Sequence, residues 1–427
     1  MSALLLLVPF IAWDMVIYLL RLRGDRSLRR RAAVLRHFSW EDVLIGREQT
    51  RRRMRLFPWS RLVFYVLFAL VVGLGARAEA WLLALTGHWA AALPLFVLLL
   101  LLAWALLTLP VAAYSELVIE RRAGLSTTTR RTFVVDQLKG LGVGWALATL
   151  LAYPVIGLVR GLPVWWPVPA AATVLAISAV VIWISPWVIA PLFNRFQPLS
   201  DEALARRVQQ LTLKAGMRVA TVLVADASRR STTLNAYFTG LGNSRRVVLF
   251  DTLVQDCDAE EVLGTVAHEL GHWKHHHIAS LFALQAVGTV LGLALLKLVL
   301  DSVWWRDLLG LPHPSSLVLL GLLPLLGALT GRVVGPFMAA VSRRFERQAD
   351  RYAIRITTDP AAFIRLEMRL VRRARGDLLV PRLLHRLYGS HPLPEERICA
   401  AEAFGSGPGP GGNCKSANGI EGEFSSC

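Results

Sequence analysis

The chain has 427 residues, 54% of them hydrophobic, and a formal net charge of +17 at pH 7. It is too long and too apolar for one ordinary soluble domain, so the composition predicts a polytopic membrane protein with a soluble insert. The arginines cluster between apolar stretches, as the positive-inside rule explains, so no nucleic-acid partner is expected. Four cysteines without a C-x-x-C pair predict neither a disulfide framework nor metal ligation by sulfur.

Seven apolar stretches are predicted to be membrane-spanning helices. They cover residues 3–20, 62–76, 90–113, 141–158, 164–193, 279–300 and 316–341. A carboxylate inside a span is costly unless it faces other helices, so Asp14 should point into the bundle. A short segment with Arg77 and Glu79 should join spans two and three. The arginine-dense segment 21–61 is predicted to be cytoplasmic, which places the N-terminus outside.

Residues 194–278 differ in kind from the rest of the chain. An amphipathic helical pattern is followed by β-rich runs at 219–224 and 246–250. Between these two runs, residues 234–240 are predicted to form an edge strand that ends in a glycine turn. The composition and the patterns therefore predict a soluble α+β insert between spans five and six.

The strongest chemical signal is the H-E-x-x-H sequence from His268 to His272. Residues four apart share one face of a helix, so the two histidines can bind one zinc ion while Glu269 lies beside the water that the metal activates. The pentapeptide alone could be a polar patch on a surface helix. Its apolar flanks favour a half-buried helix, whose histidines and glutamate need partners that a metal would provide.

A third ligand is available after span seven, where Glu346 and Asp350 lie one helical turn apart. Glu346 could complete the metal site, and Asp350 could orient a ligand histidine through a hydrogen bond. For this, His268 and Glu346 must emerge on the same side of the membrane, and spans six and seven return the chain to that side. The triplet at residues 275–277 is interpreted as a polar collar at the membrane interface, because its side chains point in different directions around a helix.

The C-terminal part contains a basic amphipathic stretch with apolar residues at Phe363, Leu366 and Leu370, which is predicted to lie at the membrane surface. From the residues alone, Asn235 could simply form an Asx-turn, and His391 could be an ordinary loop residue.

Six ordered blocks of the sequence resemble the type I CAAX prenyl endopeptidases, and the likeness extends to about residue 404. The blocks are IAPLFNRF from Ile189, NAYF from Asn235, VLFDTL from Val248, HELGH from His268, the segment from Glu346 to Asp350, and SHP from Ser390 with Glu396 and Arg397. The resemblance implies a mainly α-helical membrane protein, with seven spans around a large water-filled intramembrane chamber and the zinc site at its cytoplasmic end.

The same resemblance implies one Zn²⁺ per chain, held by His268, His272 and Glu346, with Glu269 as the catalytic base. An unpaired strand edge can bind an extended peptide. The resemblance accordingly implies that Asn235, Ala236 and Tyr237 hold the substrate backbone. It further implies that His391 and Arg397 bind substrate and stabilise the oxyanion.

The chain is therefore predicted to have five parts. They are spans one to five with basic cytoplasmic loops (1–193), a cytoplasmic catalytic insert (194–278), spans six and seven (279–341), a C-terminal catalytic segment (342–404) and a disordered tail (405–427).

The leading hypothesis is a monomeric zinc endopeptidase, surrounded by membrane lipids, that cleaves membrane-associated peptides, including CaaX-type C-termini after prenylation. Its membrane would be the bacterial inner membrane or the endoplasmic reticulum, with the active site facing the cytoplasm. One alternative is a bacterial membrane quality-control metalloprotease, but seven spans favour the first hypothesis. Another is a non-catalytic scaffold with structural zinc, although such a site has no use for the unliganded carboxylate of Glu269.

Overall fold

The computed structural model describes residues 5–240 and 245–405. The fold is mainly helical with one small mixed β-sheet. The start of predicted span one and the predicted disordered tail, except residue 405, lie outside the described residues.

The N-terminal half consists of helices. They are α1 (Val8–Arg23), α2 (Leu28–Val34), α3 (Trp40–Met54), α4 (Phe57–Thr86), α5 (Trp89–Tyr114), which continues as a π-helical segment (Ser115–Glu120), α6 (Arg130–Gly161), α7 (Pro167–Ile184) and α8 (Ile189–Phe193). Within the described residues, six helical segments are long and apolar enough to cross a membrane. Predicted span one corresponds to α1, which has 16 residues.

The second half contains the sheet and the remaining helices. These elements are β1 (Phe196–Pro198), α9 (Glu202–Lys214), β2 (Thr221–Ala225), β3 (Ala236–Thr239), β4 (Arg246–Phe250), α10 (Asp251–Asp256), α11 (Ala259–Lys274), α12 (His277–Asp301), α13 (Val303–Leu309), α14 (Val318–Thr357), α15 (Pro360–Ala374), α16 (Arg382–Tyr388) and α17 (Pro394–Gly405).

Two helices extend beyond the spans that were predicted for them. Glu79 does not lie in a connecting segment but inside α4, where it is 2% exposed. Its carboxylate accepts hydrogen bonds from the Ser316 hydroxyl and from the backbone N–H of Leu317, which precedes α14. The chain turns instead after Thr86, at Gly87 with φ 70°. A buried partner thus allows a charged residue to continue an apolar helix.

The second helix is α14, which contains predicted span seven. It is a single helix of 40 residues that continues past residue 341 to Thr357. In its first half, Arg332 donates to Asp14 of α1 over 2.9 Å, and Tyr65 of α4 donates to the same carboxylate over 2.6 Å. Asp14 is buried within the helical bundle, as predicted.

The sheet has the strand order β1-β2-β4-β3. Strands β2 and β4 are parallel, with Leu223 opposite Val248, whereas β1 and β3 pair antiparallel with their neighbours. Strand β3 therefore occupies one edge of the sheet. The inner face of the sheet packs on α9 and α11 through residues such as Val208, Ala236 and Val266.

Helix α15 packs against protein and not against lipid. Phe363 belongs to the same core as Val262 and Val266 of α11, and Leu366 is buried next to Gly264. The prediction that the apolar face of this stretch lies at the membrane surface is wrong, because the catalytic insert supplies an apolar surface that covers it.

A cavity of about 540 Å³ lies among the membrane helices α4, α5, α6, α7, α12 and α14. Its lining is apolar throughout, with Leu67, Trp104, Leu151 and Leu323 as examples. The large water-filled chamber that the resemblance implied stays a prediction.

Candidate active site

The H-E-x-x-H residues lie in the second half of α11. This helix begins with a capping box: the Asp258 side chain accepts from the backbone N–H of Glu261, and the Glu261 side chain accepts from that of Asp258. Such reciprocal bonds satisfy two of the free N–H groups at a helix start. The helix axis is thereby well defined before the chain reaches the two histidines.

Helix α14 crosses α11 at close range and carries Glu346 and Asp350. The approach is possible because residue 271 is glycine: a Cβ built there would lie 2.7 Å from the Cα of Ala349. Ala349 itself is fully buried. The glycine between Glu269 and His272 therefore allows the two helices to bring their polar residues together.

The side chains of His268, His272 and Glu346, here called the ligand triad, converge on one point. Nε2 of His268 lies 3.2 Å from Nε2 of His272 and 3.3 Å from Oε2 of Glu346, while Nε2 of His272 lies 3.5 Å from Oε1 of Glu346. Ligand atoms bound at about 2.0–2.1 Å to a tetrahedral zinc are about 3.3–3.4 Å apart. The three separations therefore fit a zinc site.

The electrostatics of the triad also favour a cation. Oε2 of Glu346 is buried without a hydrogen bond from the described residues. Burial opposes a charge on His268, but the neighbouring carboxylates of Asp350 and Glu346 outweigh it and raise the pKa of His268 to about 10. Burial and the neighbouring charge of His268 lower the pKa of His272 to about 4. One positive charge is thus favoured beside the carboxylates, and a metal ion would supply it.

Asp350 lies behind His268, on the side away from the triad. Its Oδ1 is 2.9 Å from Nδ1 of His268, which leaves Nε2 of that ring directed at Glu346. Nε and Nη2 of Arg397 donate hydrogen bonds to the same carboxylate over 2.8 and 2.6 Å. Nη1 of Arg397 is 2.6 Å from Glu367, so all three guanidinium nitrogens contact carboxylates.

Glu269 differs from the other acids of the site. Its carboxylate makes no hydrogen bond or ion pair with any residue in the described part of the chain, although it is half-buried. Burial raises the pKa of Glu269, with a further contribution from Glu346, while His268 acts in the opposite direction. A free carboxylate with a raised pKa is suited to accept a proton from water.

His391 lies at the open side of the triad. Its Nε2 is 3.6 Å from Oε2 of Glu346, and its side chain is mostly exposed. Nδ1 of the ring lies 2.9 Å from the Ser390 hydroxyl, and the His391 carbonyl oxygen lies 2.8 Å from Nε2 of His385. The imidazole is thus held at the entrance, where an incoming group could contact it.

The predicted edge strand is β3. The N–H of Phe250 donates to the Asn235 carbonyl, so in this antiparallel pair the backbone groups of Ala236 and Phe238 face the open edge. The side-chain oxygen of Asn235 accepts from the N–H of Ala236 over 2.8 Å. The Tyr237 side chain lies on the sheet face opposite to buried Ala236 and forms an edge-to-face contact with Phe250.

Sequence reasoning missed His277, Gln348 and Glu367. His277 is 2% exposed and contacts His272, so the interpretation of all three histidines at 275–277 as a surface collar is wrong for this one. A helix break separates it from α11, and no local pattern predicts that break. The burial of Glu367 could have been predicted, because helical spacing places it on the apolar face of α15 with Phe363 and Leu370.

Long apolar helices, a buried H-E-x-x-H helix and a triad that fits a metal define a multi-pass membrane metalloprotease. Two family profiles match consecutive parts of the chain: Peptidase family M48 matches residues 198–404, and the CAAX prenyl protease N-terminal family, described as five membrane helices, matches residues 30–195. The chain belongs to the CAAX prenyl protease 1 family of M48 metalloproteases.

Individual proteins agree with this membership. A CAAX prenyl protease 1 homolog of Oryza sativa subsp. japonica is 29% identical over 391 residues, covering 89% of this chain and 88% of the relative. The uncharacterized metalloprotease YhfN of Bacillus subtilis is also 29% identical, over 82% of each chain. The crystal structure of Ste24p from S. mikatae superposes with a TM-score of 0.79 at 25% identity, covering 94% of this chain and 99% of that one.

Family membership has three consequences for this protein. It is an integral multi-pass membrane protein, a zinc metalloprotease and an enzyme with peptide substrates. The predicted class of enzyme is therefore confirmed, and the triad of His268, His272 and Glu346 fits the zinc that the family implies.

Proposed function

We propose that this protein holds one Zn²⁺ between His268, His272 and Glu346 and cleaves membrane-associated peptides, with prenylated CaaX-type C-termini as the leading substrate class. The observation that carries the proposal is the free carboxylate of Glu269 beside three converging ligand atoms. Relatives named CAAX prenyl proteases support the substrate class. Because the triad comes from one chain, a monomer is sufficient for activity.

The zinc and Glu269 have different roles in the proposed reaction. When bound, the zinc supplies polarisation of the scissile carbonyl and lowers the pKa of the attacking water. Glu269 takes the proton from that water and passes it to the leaving amine, so the amide bond breaks as the new carboxyl group forms. A non-catalytic scaffold would not need this carboxylate.

The remaining site residues are proposed to position the reacting groups. His391 donates to the oxygen of the developing tetrahedral intermediate, since its imidazole lies at the open side of the triad. Arg397 acts indirectly: its guanidinium is committed to Asp350 and Glu367, and Asp350 orients His268.

Asn235, Ala236 and Tyr237 are proposed to bind the substrate backbone at the open edge of β3. An extended peptide would pair with the outward backbone groups of Ala236 and would displace the Asn235 side chain from the N–H that it now occupies. The freed amide of Asn235 could then bond the peptide in turn. Asn235→Ala should therefore raise KM more than it lowers kcat.

The site is proposed to lie on the cytoplasmic side of its membrane, which would be the bacterial inner membrane or the membrane of the endoplasmic reticulum. Support comes from Arg30, which donates to Glu395 of the C-terminal catalytic segment over 2.8 Å. This contact supports a position of the arginine-rich N-terminal segment on the same side of the membrane as the triad. Arginine-rich segments between spans remain cytoplasmic.

A cleavage assay with matched farnesylated and unmodified peptides tests the proposal. The wild-type enzyme should cleave the farnesylated peptide faster. Glu269→Gln should retain zinc and lose about 10²- to 10⁴-fold in kcat, the usual contribution of a general base. Glu260→Gln, an exposed change on the same helix, is the control and should retain full activity.

Two results would contradict the proposal. Equal turnover by the wild-type enzyme and Glu269→Gln would reject the assigned base. Equal rates on both peptides would reject a prenyl requirement and would favour the quality-control alternative, whose substrates carry no lipid.

A further inference from the structure

His277 lies behind the second histidine of the triad. It is the first residue of α12, and its Nδ1 is 3.0 Å from Nδ1 of His272. Its Nε2 is 2.9 Å from Oε1 of Gln348 on α14. Since the imidazole is 2% exposed, these two contacts account for both of its polar atoms in a site closed to bulk water.

A break between two helices brings His277 into this position. On a continuous helix, residues five apart lie about 140° apart around the axis, so His277 would point away from His272. Instead, α11 ends at Lys274 and His276 adopts a left-handed conformation with φ 53° and ψ 34°. A non-glycine residue in this region carries strain, which persists only where the surrounding contacts impose it.

The hydrogen positions follow from the contacts of His272. An imidazole that gives the lone pair of Nε2 to a metal is neutral and carries its proton on Nδ1. Nδ1–H of His272 must then donate to Nδ1 of His277. The proton of neutral His277 is consequently on Nε2, from which it donates to Oε1 of Gln348. Each of these side chains therefore has a defined donor or acceptor role in the hydrogen-bonded series.

We propose that His277 is the positioning residue of His272: it accepts the Nδ1–H bond and fixes the tautomer and ring orientation that direct Nε2 at Glu346. The inference rests on the proposed role of His272 as a zinc ligand. It gives the two histidines different supports, a carboxylate for His268 and a neutral imidazole for His272.

His277 also connects the second histidine of the triad to the helix of the third residue. Its ring stacks on Phe345 at 4.1 Å between centroids and 9° between planes. Phe345 and Gln348 lie on either side of Glu346 in the sequence of α14. One side chain thus sets the orientation of His272 and its distance from Glu346 together.

Three substitutions of His277 distinguish its role as hydrogen-bond acceptor for His272 from its packing against Phe345. His277→Phe keeps a flat ring against Phe345 but removes the acceptor, and His277→Asn places an amide oxygen near the position of Nδ1. In His277→Gln, the side-chain amide can still contact Gln348, but no acceptor lies at the position of Nδ1. This variant replaces His277→Phe in the comparison if the Phe variant does not fold. His276→Asn is the control, because residue 276 is exposed and asparagine tolerates a left-handed conformation.

Each purified full-length variant is assayed for zinc stoichiometry, for the rate of zinc loss to a chelator and for the visible spectrum of its Co²⁺ form. The Phe and Gln variants should bind zinc about 10- to 100-fold more weakly, as is usual for residues that support metal ligands, with a shifted Co²⁺ spectrum. The Asn variant and the His276→Asn control should remain close to wild type.

Wild-type zinc affinity and an unchanged Co²⁺ spectrum in His277→Phe would overturn the inference. It would also be overturned if His277→Asn were as impaired as His277→Phe, since packing alone would then explain both. A wild-type chain without zinc, or a His272→Ala variant that binds zinc as tightly as wild type, would overturn the proposed ligand set and this inference with it.

Discussion

Arg397 and Asp350 form a bidentate ion pair, with N···O distances of 2.8 and 2.6 Å, directly behind His268. Glu367 contacts the third nitrogen of the same guanidinium over 2.6 Å. One buried cation therefore contacts two buried carboxylates, and removing it would leave both without their positively charged partner.

Arg397→Met should be strongly destabilising, because it leaves Asp350 and Glu367 buried without their partner. The expected loss is about 3–5 kcal/mol, measured as a lower Tm in detergent with zinc in excess. Arg365→Met is the matched control, since Arg365 lies 3.5 Å from Asp258 with both side chains about half exposed. Such a pair contributes less than about 1 kcal/mol. Equal Tm losses in the two variants would contradict the importance of burial.

Gly271→Ala should disturb the ligand triad. The new methyl group would lie 2.7 Å from the Cα and 3.0 Å from the carbonyl oxygen of Ala349, so α11 and α14 would have to separate. Overpacking of this kind costs about 1–3 kcal/mol, and the separation would move His272 away from Glu346. We expect weaker zinc binding in a chelator competition and a lower kcat.

Gly264→Ala on the same helix is the control for that change. Its Cβ would lie 3.4 Å from a side-chain carbon of Leu366, an ordinary contact. Replacing glycine by alanine within a helix is stabilising by about 0.5–1 kcal/mol. If both glycine variants kept wild-type zinc affinity, the close approach at residue 271 would not matter for the site.

Arg30→Met should separate the N-terminal segment from the catalytic segment. The Arg30 side chain is fully buried and contacts Glu395, Asp25 and the carbonyl oxygens of Leu378 and Val380. Its removal leaves several acceptors without a donor, and the expected loss is about 3–5 kcal/mol. The measurements are Tm and the rate of cleavage by added trypsin after Arg375 and Arg382, the basic residues that flank residues 376–381.

Arg29→Met, an exposed change next to Arg30, should alter stability by no more than about 0.5 kcal/mol. This comparison also tests why the segment is rich in arginine. If Arg29→Met were as harmful as Arg30→Met, charge density and not the buried contacts would determine stability.

Removal of the metal by a chelator should abolish peptide cleavage reversibly. Added Zn²⁺ should restore activity and raise the Tm, because a ligand that binds only the folded state stabilises it. Mg²⁺ should not restore activity, since two imidazoles and one carboxylate suit zinc better than a cation that prefers oxygen ligands. Cleavage that continues after elemental analysis shows no zinc would contradict the proposed mechanism.

The part of the site that depends on local spacing could be predicted from the sequence. His268 and His272 are four residues apart, as are Glu346 and Asp350, and helical geometry places each pair on one face. The end of β3 could also be predicted, since Gly240, which has φ 85°, follows directly after the strand. The assignment of the three triad residues as ligands remains a prediction until metal binding is measured.

The contacts that depend on tertiary structure could not be predicted. The break at His276 directs His277 towards His272, and it depends on contacts with Phe345 and Gln348 of a distant helix. Glu79 resembled a loop residue because its buried partners lie more than two hundred positions later in the chain. In both cases a side chain is stabilised by partners that local patterns do not identify.

The order of the triad residues along the chain limits when the enzyme can act. His268 and His272 precede α12, whereas Glu346 lies in the second half of α14. A ribosome that has synthesised only the first three hundred residues has therefore produced a polypeptide without a complete catalytic centre. On the proposed ligand set, the nascent protein remains inert until both α12 and α14 have been synthesised, so it cannot cleave other nascent polypeptides before then.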